Sequence, residues 1–206
     1  MHFAPDTDEA LVFAAALGNT VSTASRSGAD ELSTPAQLTA LLVENRYSGR
    51  FDRNETELRE VRDARGRIRH LWTLGRDAAA FEVNRMLRDA RALPHLMRHD
   101  GFDWHLHATD LGAPLAERIL VEFSLALVDV IRTDEMGRLR SCEAEDCDGV
   151  LLDLSRNGSK RFCSIRCGNR MNMIAFRQRA AGEAGWRPGL GWARDHASGA
   201  VLSGTR

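Results

Sequence analysis

The chain has 206 residues, 43% of them hydrophobic and 28% charged, and a formal net charge of −1. That is room for one medium domain and a small appended one, and the neutral balance excludes a protein that is basic or acidic over its whole surface. No run approaches the ~20 apolar residues of a membrane span, and no positive segment precedes the short apolar stretch Leu11–Leu17, so a cytoplasmic protein with no membrane contact is expected.

Leu11, Val12, Ala15 and Leu17 predict a first helix over about Thr7–Leu17, stopped by Gly18-Asn19-Thr20. Ser22–Asp30 is small and polar and reads as a loop. Thr34-Pro35-Ala36-Gln37 combines an N-cap, a proline at the first helical position and a capping-box partner. The helix it opens should run to about Asn45 and bury Leu38, Leu41 and Leu42.

Leu58, Val61, Ile68, Leu71 and Trp72 carry a helical period, crossed by Gly66 at a cost of about 1 kcal/mol relative to alanine. The next helix is predicted over Asp77–Arg91, burying Phe81, Met86 and Leu87 and closed by Pro94. From His95 to Thr109 the pattern changes to a β-hairpin turning tightly at Asp100-Gly101. Pro114 then opens the most apolar helix, through Ile119, Leu120, Phe123, Leu127 and Ile131. The fold class is mainly α with one small hairpin, over residues 1–133.

All four cysteines lie beyond that point, as Cys142-x4-Cys147, a 15-residue spacer, and Cys163-x3-Cys167. Two close pairs joined by a short loop suit one tetrahedral Zn²⁺, each pair giving two thiolates. The competing readings are two disulfides or four free thiols; a reducing compartment favours metal. Four thiolates leave no open coordination position, so the zinc would be structural. Val150-Leu151-Leu152 reads as a short strand and Arg161-Phe162-Cys163 as the strand returning to it. A helix follows from Cys163 to about Ala181, and Gly182–Arg206, with Trp186, Pro188, Gly189 and Trp192, reads as a loosely ordered tail.

The stretch Asp153-Leu-Ser-Arg-Asn-Gly-Ser-Lys-Arg-Phe-Cys-Ser164, followed by Cys167-Gly168-Asn169-Arg170, resembles the CGNR zinc finger, over roughly residues 139–181. In such proteins the finger follows a mostly helical domain called ABATE. Residues 1–133 have that layout, and Asn19-Thr20 resembles a short Asn-Thr element near its start. The acidic residue often found before that element is absent here, where Phe13-Ala14-Ala15-Ala16 stands. The resemblance implies a bacterial, stress-induced transcription regulator.

Charge supplies a contact surface for such a protein. Arg156, Lys160, Arg161, Arg166, Arg170, Arg177 and Arg179 form a basic block with no Asp or Glu among them. Guanidinium groups suit phosphate oxygens, so the expected partner is duplex DNA. The bland reading is a solvated arginine-rich face, with Asp153, Ser155, Asn157, Gly168 and Asn169 as structural parts of the knuckle. Met171–Phe176 is less basic than in relatives and could serve a second copy of the chain or another protein. The helical domain would sense a small ligand or a protein, or dimerise.

His95, His99, His105 and His107 crowd the hairpin, with His105 and His107 on one face of a strand. No cysteine or well-placed carboxylate completes a metal site there, and exposed or core-satisfied histidines are expected. Trp72, Phe102 and Trp104 read as packing residues. No phosphate loop, nucleophile elbow or His-Glu-x-x-His motif is present, so no enzymatic activity is expected.

Overall fold

Helix ends in this protein follow their local chemistry. In the computed structural model, which describes residues 3–99, 101 and 103–185, α1 (Pro5–Gly18) starts on a proline, with Asp6 and Asp8 in its positively polarised first turn. α2 (Pro35–Glu44) opens with the full capping box: Gln37 N–H donates to Thr34 Oγ1 at 3.2 Å, and Thr34 N–H donates to Gln37 Oε1 at 3.0 Å. Asn54 caps α3 (Glu55–Trp72) through Glu57 N–H at 2.9 Å. That helix runs unbroken through Gly66. Leu38 and Leu42 are buried on α2, and Leu58, Val61, Ile68, Leu71 and Trp72 on α3.

The helix α4 (Arg76–Asp89) corrects one expectation. Phe81 is 67% exposed, and the buried stripe is Ala79, Val83 and Met86. At 100° per residue those three lie within one face, and Phe81 stands about 200° from Ala79, on the opposite side. Central to the core is α5 (Leu115–Arg132), against which α1, α3 and α4 pack. Ile119, Phe123, Leu127 and Val130 are buried there, and Phe123 stacks on Trp72 with ring centroids 5.9 Å apart. Burying a side chain such as Phe123 stabilises by about 1.5–3 kcal/mol.

Between α4 and α5 lies an antiparallel ribbon, β1 (His95–Met97) with β2 (His105–His107), in the register His95↔His107 and Met97↔His105. The strands are joined by residues 98–104 rather than by a two-residue turn at Asp100-Gly101. Gly101 has φ +85°, a left-handed conformation glycine adopts without a Cβ clash. Asp100 and Phe102 lie outside the described residues. Trp104 is exposed, with Arg98 over its ring at 5.7 Å.

A 3₁₀ turn at Met136–Arg138 leads into β3 (Leu139–Ser141), which pairs antiparallel with β4 (Val150–Leu152). This corrects the expected pairing of Val150–Leu152 with Arg161–Cys163. The opposite edge of β4 is closed by side chains. Asn19 donates Nδ2–H to Val150 O and accepts from Val150 N–H, both at 2.8 Å. Lys160 Nζ donates to Leu152 O on the same edge at 3.1 Å, while Trp72 Nε1–H reaches Leu151 O, a carbonyl on the β3 side of the strand, at 3.3 Å. With the Val150 amide and the carbonyls of Val150 and Leu152 satisfied, no strand needs to pair at that edge. Leu139, Val150 and Leu152 belong to the same core cluster as the helices.

The structure falls into two units, one ending at Asn169 and one starting at Arg170. α6 (Ile165–Gly185) spans that point and runs past the expected end at Ala181. Trp186, Pro188, Gly189 and Trp192 of the expected tail lie outside the described residues. Among the described residues no helix is long and apolar enough to cross a membrane.

Candidate metal centre and nucleic-acid interface

Cys142 and Cys147 sit in the connection between β3 and β4, which Cys142 N–H closes by donating to Gly149 O at 2.7 Å. Cys163 precedes α6, and Cys167 occupies its first turn, where its N–H donates to Ser164 Oγ at 3.2 Å. The four Sγ atoms lie within 4.8 Å of one another. Cys147 Sγ is 3.6 Å from Cys163 Sγ, which is 3.8 Å from Cys167 Sγ. Those separations are too long for disulfides. They match the ~3.8 Å edge of a tetrahedron with zinc–sulfur bonds of about 2.3 Å. The four cysteines thus fit one structural zinc.

Backbone amides support the sulfurs: Gly149 N–H points at Cys147 Sγ and Cys163 N–H at Cys142 Sγ, each at 3.4 Å. Without a cation, burial pushes the Cys147 thiol up, and burial with the neighbouring thiols pushes Cys163 up strongly. A dication at the centre reverses that balance, since it favours thiolate over thiol. Gly149 is required by space. A Cβ there would lie 2.6 Å from Cys163 Sγ and 3.1 Å from Cys147 Sγ.

The turn between the cysteine pairs is organised by Asp153, whose side chain is fully buried. Its carboxylate accepts from Ser155 N–H at 2.9 Å, Ser155 Oγ–H at 2.5 Å, Lys160 N–H at 2.9 Å and Arg140 at 3.3 Å. Burial alone would raise its pKa, but these donors outweigh it and hold the group below the usual carboxylate value. Ser155 Oγ in turn accepts from Ser159 N–H at 2.9 Å. Gly168 passes close to the Phe162 ring. Asn157 and Asn169 are exposed and make no side-chain hydrogen bond among the described residues.

The basic residues divide by what they already hold. Arg161 is ion-paired to Glu143 at 2.6 Å and lies over the Phe162 ring, Lys160 is spent on Leu152 O, and Arg166 donates to Arg26 O. Arg156 is exposed and makes no ion pair among the described residues. In the second unit Arg170 is partly buried, while Arg177 and Arg179 are exposed without an ion pair. Spacing alone hid the Arg161 partner, because Glu143 is 18 residues away in the chain.

Elsewhere in the first unit, α1, β2 and α5 contribute to the walls of a cavity of about 650 Å³. Arg118 is 1% exposed and donates to the carbonyls of Ser48, Arg50 and Ala113. Burial raises the Glu122 carboxyl, and burial together with His105 and His99 holds His107 down to about 4. Charged residues at Arg118 and Glu122 inside the most apolar helix were the available sequence signal for this cavity.

Two families match the chain. Residues 11–132 match ABATE, described as “Putative stress-induced transcription regulator”, and residues 138–180 match the CGNR zinc finger. Both are regulator or zinc-finger families rather than enzyme families. No curated protein matches the chain.

Proposed function

The chain belongs to the ABATE family, with a CGNR zinc finger after the ABATE domain, and on that premise we propose that this zinc-binding regulator contacts duplex DNA through its finger. The observation that carries the reading is the run Ser155–Ala181, which holds seven basic side chains and no carboxylate. Within it Arg156, Arg177 and Arg179 are exposed and unpaired among the described residues, so they are the first candidates for phosphate oxygens. Arg170 joins them. Lys160, Arg161 and Arg166 would have to exchange an existing partner for a phosphate, and so contribute less. The zinc holds the knuckle that presents Arg156.

The helical domain, in the same reading, senses a small molecule or partner, or dimerises. The cavity beside Arg118 and Glu122 supports the first of these. A bacterial source, a cytoplasmic location and induction by stress belong to this proposal as well.

The test is binding of the zinc-loaded, full-length protein to duplex DNA across a salt series. Changing Arg177 and Arg179 together to Ala should weaken binding and flatten the slope of log K against log salt by about 1.8, at about 0.9 per lost phosphate contact. Absence of binding at low salt, with zinc present and the fold intact, overturns the reading. One observation favours a second one, a protein-interaction surface: Met173 is 51% and Phe176 61% exposed on α6. In that case Met173→Ala and Phe176→Ala disturb assembly and leave DNA affinity unchanged.

A further inference from the structure

The hairpin of the helical part brings three imidazoles to one point. His105 and His107 are two residues apart on β2 and so share a face. His99 meets them from the connection between the strands. The three Nε2 atoms form a triangle with edges of 2.8, 2.9 and 3.2 Å.

A ring nitrogen has one in-plane direction, which holds either a hydrogen or a lone pair. Three such atoms turned inward cannot make three good hydrogen bonds with one another. For His105 the tautomer follows from its other nitrogen. Nδ1 lies 2.7 Å from Asp103 O, a carbonyl that can only accept. The hydrogen therefore sits on Nδ1, and Nε2 of the neutral ring presents a lone pair. A carbonyl behind the ring and a lone pair in front is how metal-binding histidines are oriented.

We propose that His99, His105 and His107 bind a second metal ion, a divalent transition cation of borderline softness such as Zn²⁺ or Co²⁺. With metal–nitrogen bonds of about 2.1 Å, a cation over this triangle sits about 1.2 Å from the nitrogen plane. Three imidazoles suit Zn, Ni or Co and not Mg or Ca, which take oxygen. Among the described residues no cysteine or carboxylate joins the group within 4.8 Å. In this proposal the remaining coordination positions are taken by water or by a donor atom of a small molecule. The three histidines line the 650 Å³ cavity together with Asp6, Tyr47 and Glu122. A ligand in that cavity is placed to coordinate the metal directly, which closed four-thiolate zinc does not permit. The site stands whether or not the finger contacts DNA.

The test uses full-length protein carrying one equivalent of zinc, titrated with Co²⁺ and followed by absorption. Cobalt bound by thiolates shows intense near-ultraviolet charge-transfer bands, and cobalt bound by imidazoles shows only weak d–d bands, so the two sites are told apart. One further equivalent should bind at micromolar Co²⁺ with d–d bands alone. His99→Ala should lower that affinity at least tenfold and leave the zinc content at one. His99 lies outside both strands, so its loss removes no ribbon hydrogen bond, and His105→Ala gives a second check. No second equivalent in the unaltered protein, or undiminished binding in both variants, overturns the proposal.

Discussion

The four-cysteine site and the three-histidine cluster gather metal-binding atoms by opposite means. The cysteines come as two close pairs, so each pair is brought together by one local turn. Only the spacer must fold back, and Asp153 organises that spacer with four hydrogen bonds. The histidines depend on a strand face and a separate loop. Only His105 and His107 are neighbours by local geometry, and His99 is delivered by the connection. One site is closed by its own ligands and is joined to the core by β4. The other lines a cavity, on a ribbon of two three-residue strands. Structural metal belongs to the first kind of environment and exchangeable ligand to the second.

The sharpest way to break this contrast is to remove the finger's zinc. Leu139, Val150 and Leu152 are part of the helical core, so a chelator, or Cys167→Ser, should destabilise the helices as well as the knuckle. The expected loss exceeds about 3 kcal/mol, a fall in Tm of roughly 6–12 °C for a chain of this size. Thermal unfolding by circular dichroism, with and without chelator, measures it. A helical transition that does not move would mean that the zinc knuckle folds independently.

A smaller effect tests the clamp between α1 and β4. Asn19→Ala leaves the amide and the carbonyl of Val150 without their partner, at an expected cost of about 2–4 kcal/mol. Asn19→Asp keeps the acceptor and loses the donor, and should fall between the two. Urea unfolding separates the three proteins. The smallest effect belongs to the histidines. His99→Ala in metal-free buffer should change stability by less than about 1 kcal/mol. A larger loss would mean that the ring holds the hairpin together, and that the cluster is packing rather than a binding site.

Much of this was legible in local chemistry. Thr34, Pro35 and Gln37 are within one turn of each other, so a capping box is visible before any packing is known. The cysteine spacing carries the zinc for the same reason, and it places the finger at the end of the chain that holds the basic block. Phe81 shows where such reasoning stops. The apolar residues of α4 offer more than one stripe, and the neighbour decides which is buried; α4 packs on α5 with Ala79, Val83 and Met86 buried. Pairing of β4 went the same way, because Asn19, from a distant helix, filled the edge that Arg161–Cys163 would have used.

The sequence by itself determined the helices, their caps, the zinc ligands and the run of positive charge, because each depends on residues a few positions apart. Tertiary structure alone decided which basic groups are free, through Glu143 and the carbonyls of Leu152 and Arg26. It also decided that three histidines converge on a cavity. Those outcomes rest on contacts between residues far apart in the chain, and the energy of such a contact exists only once the chain has folded to bring the two sides together.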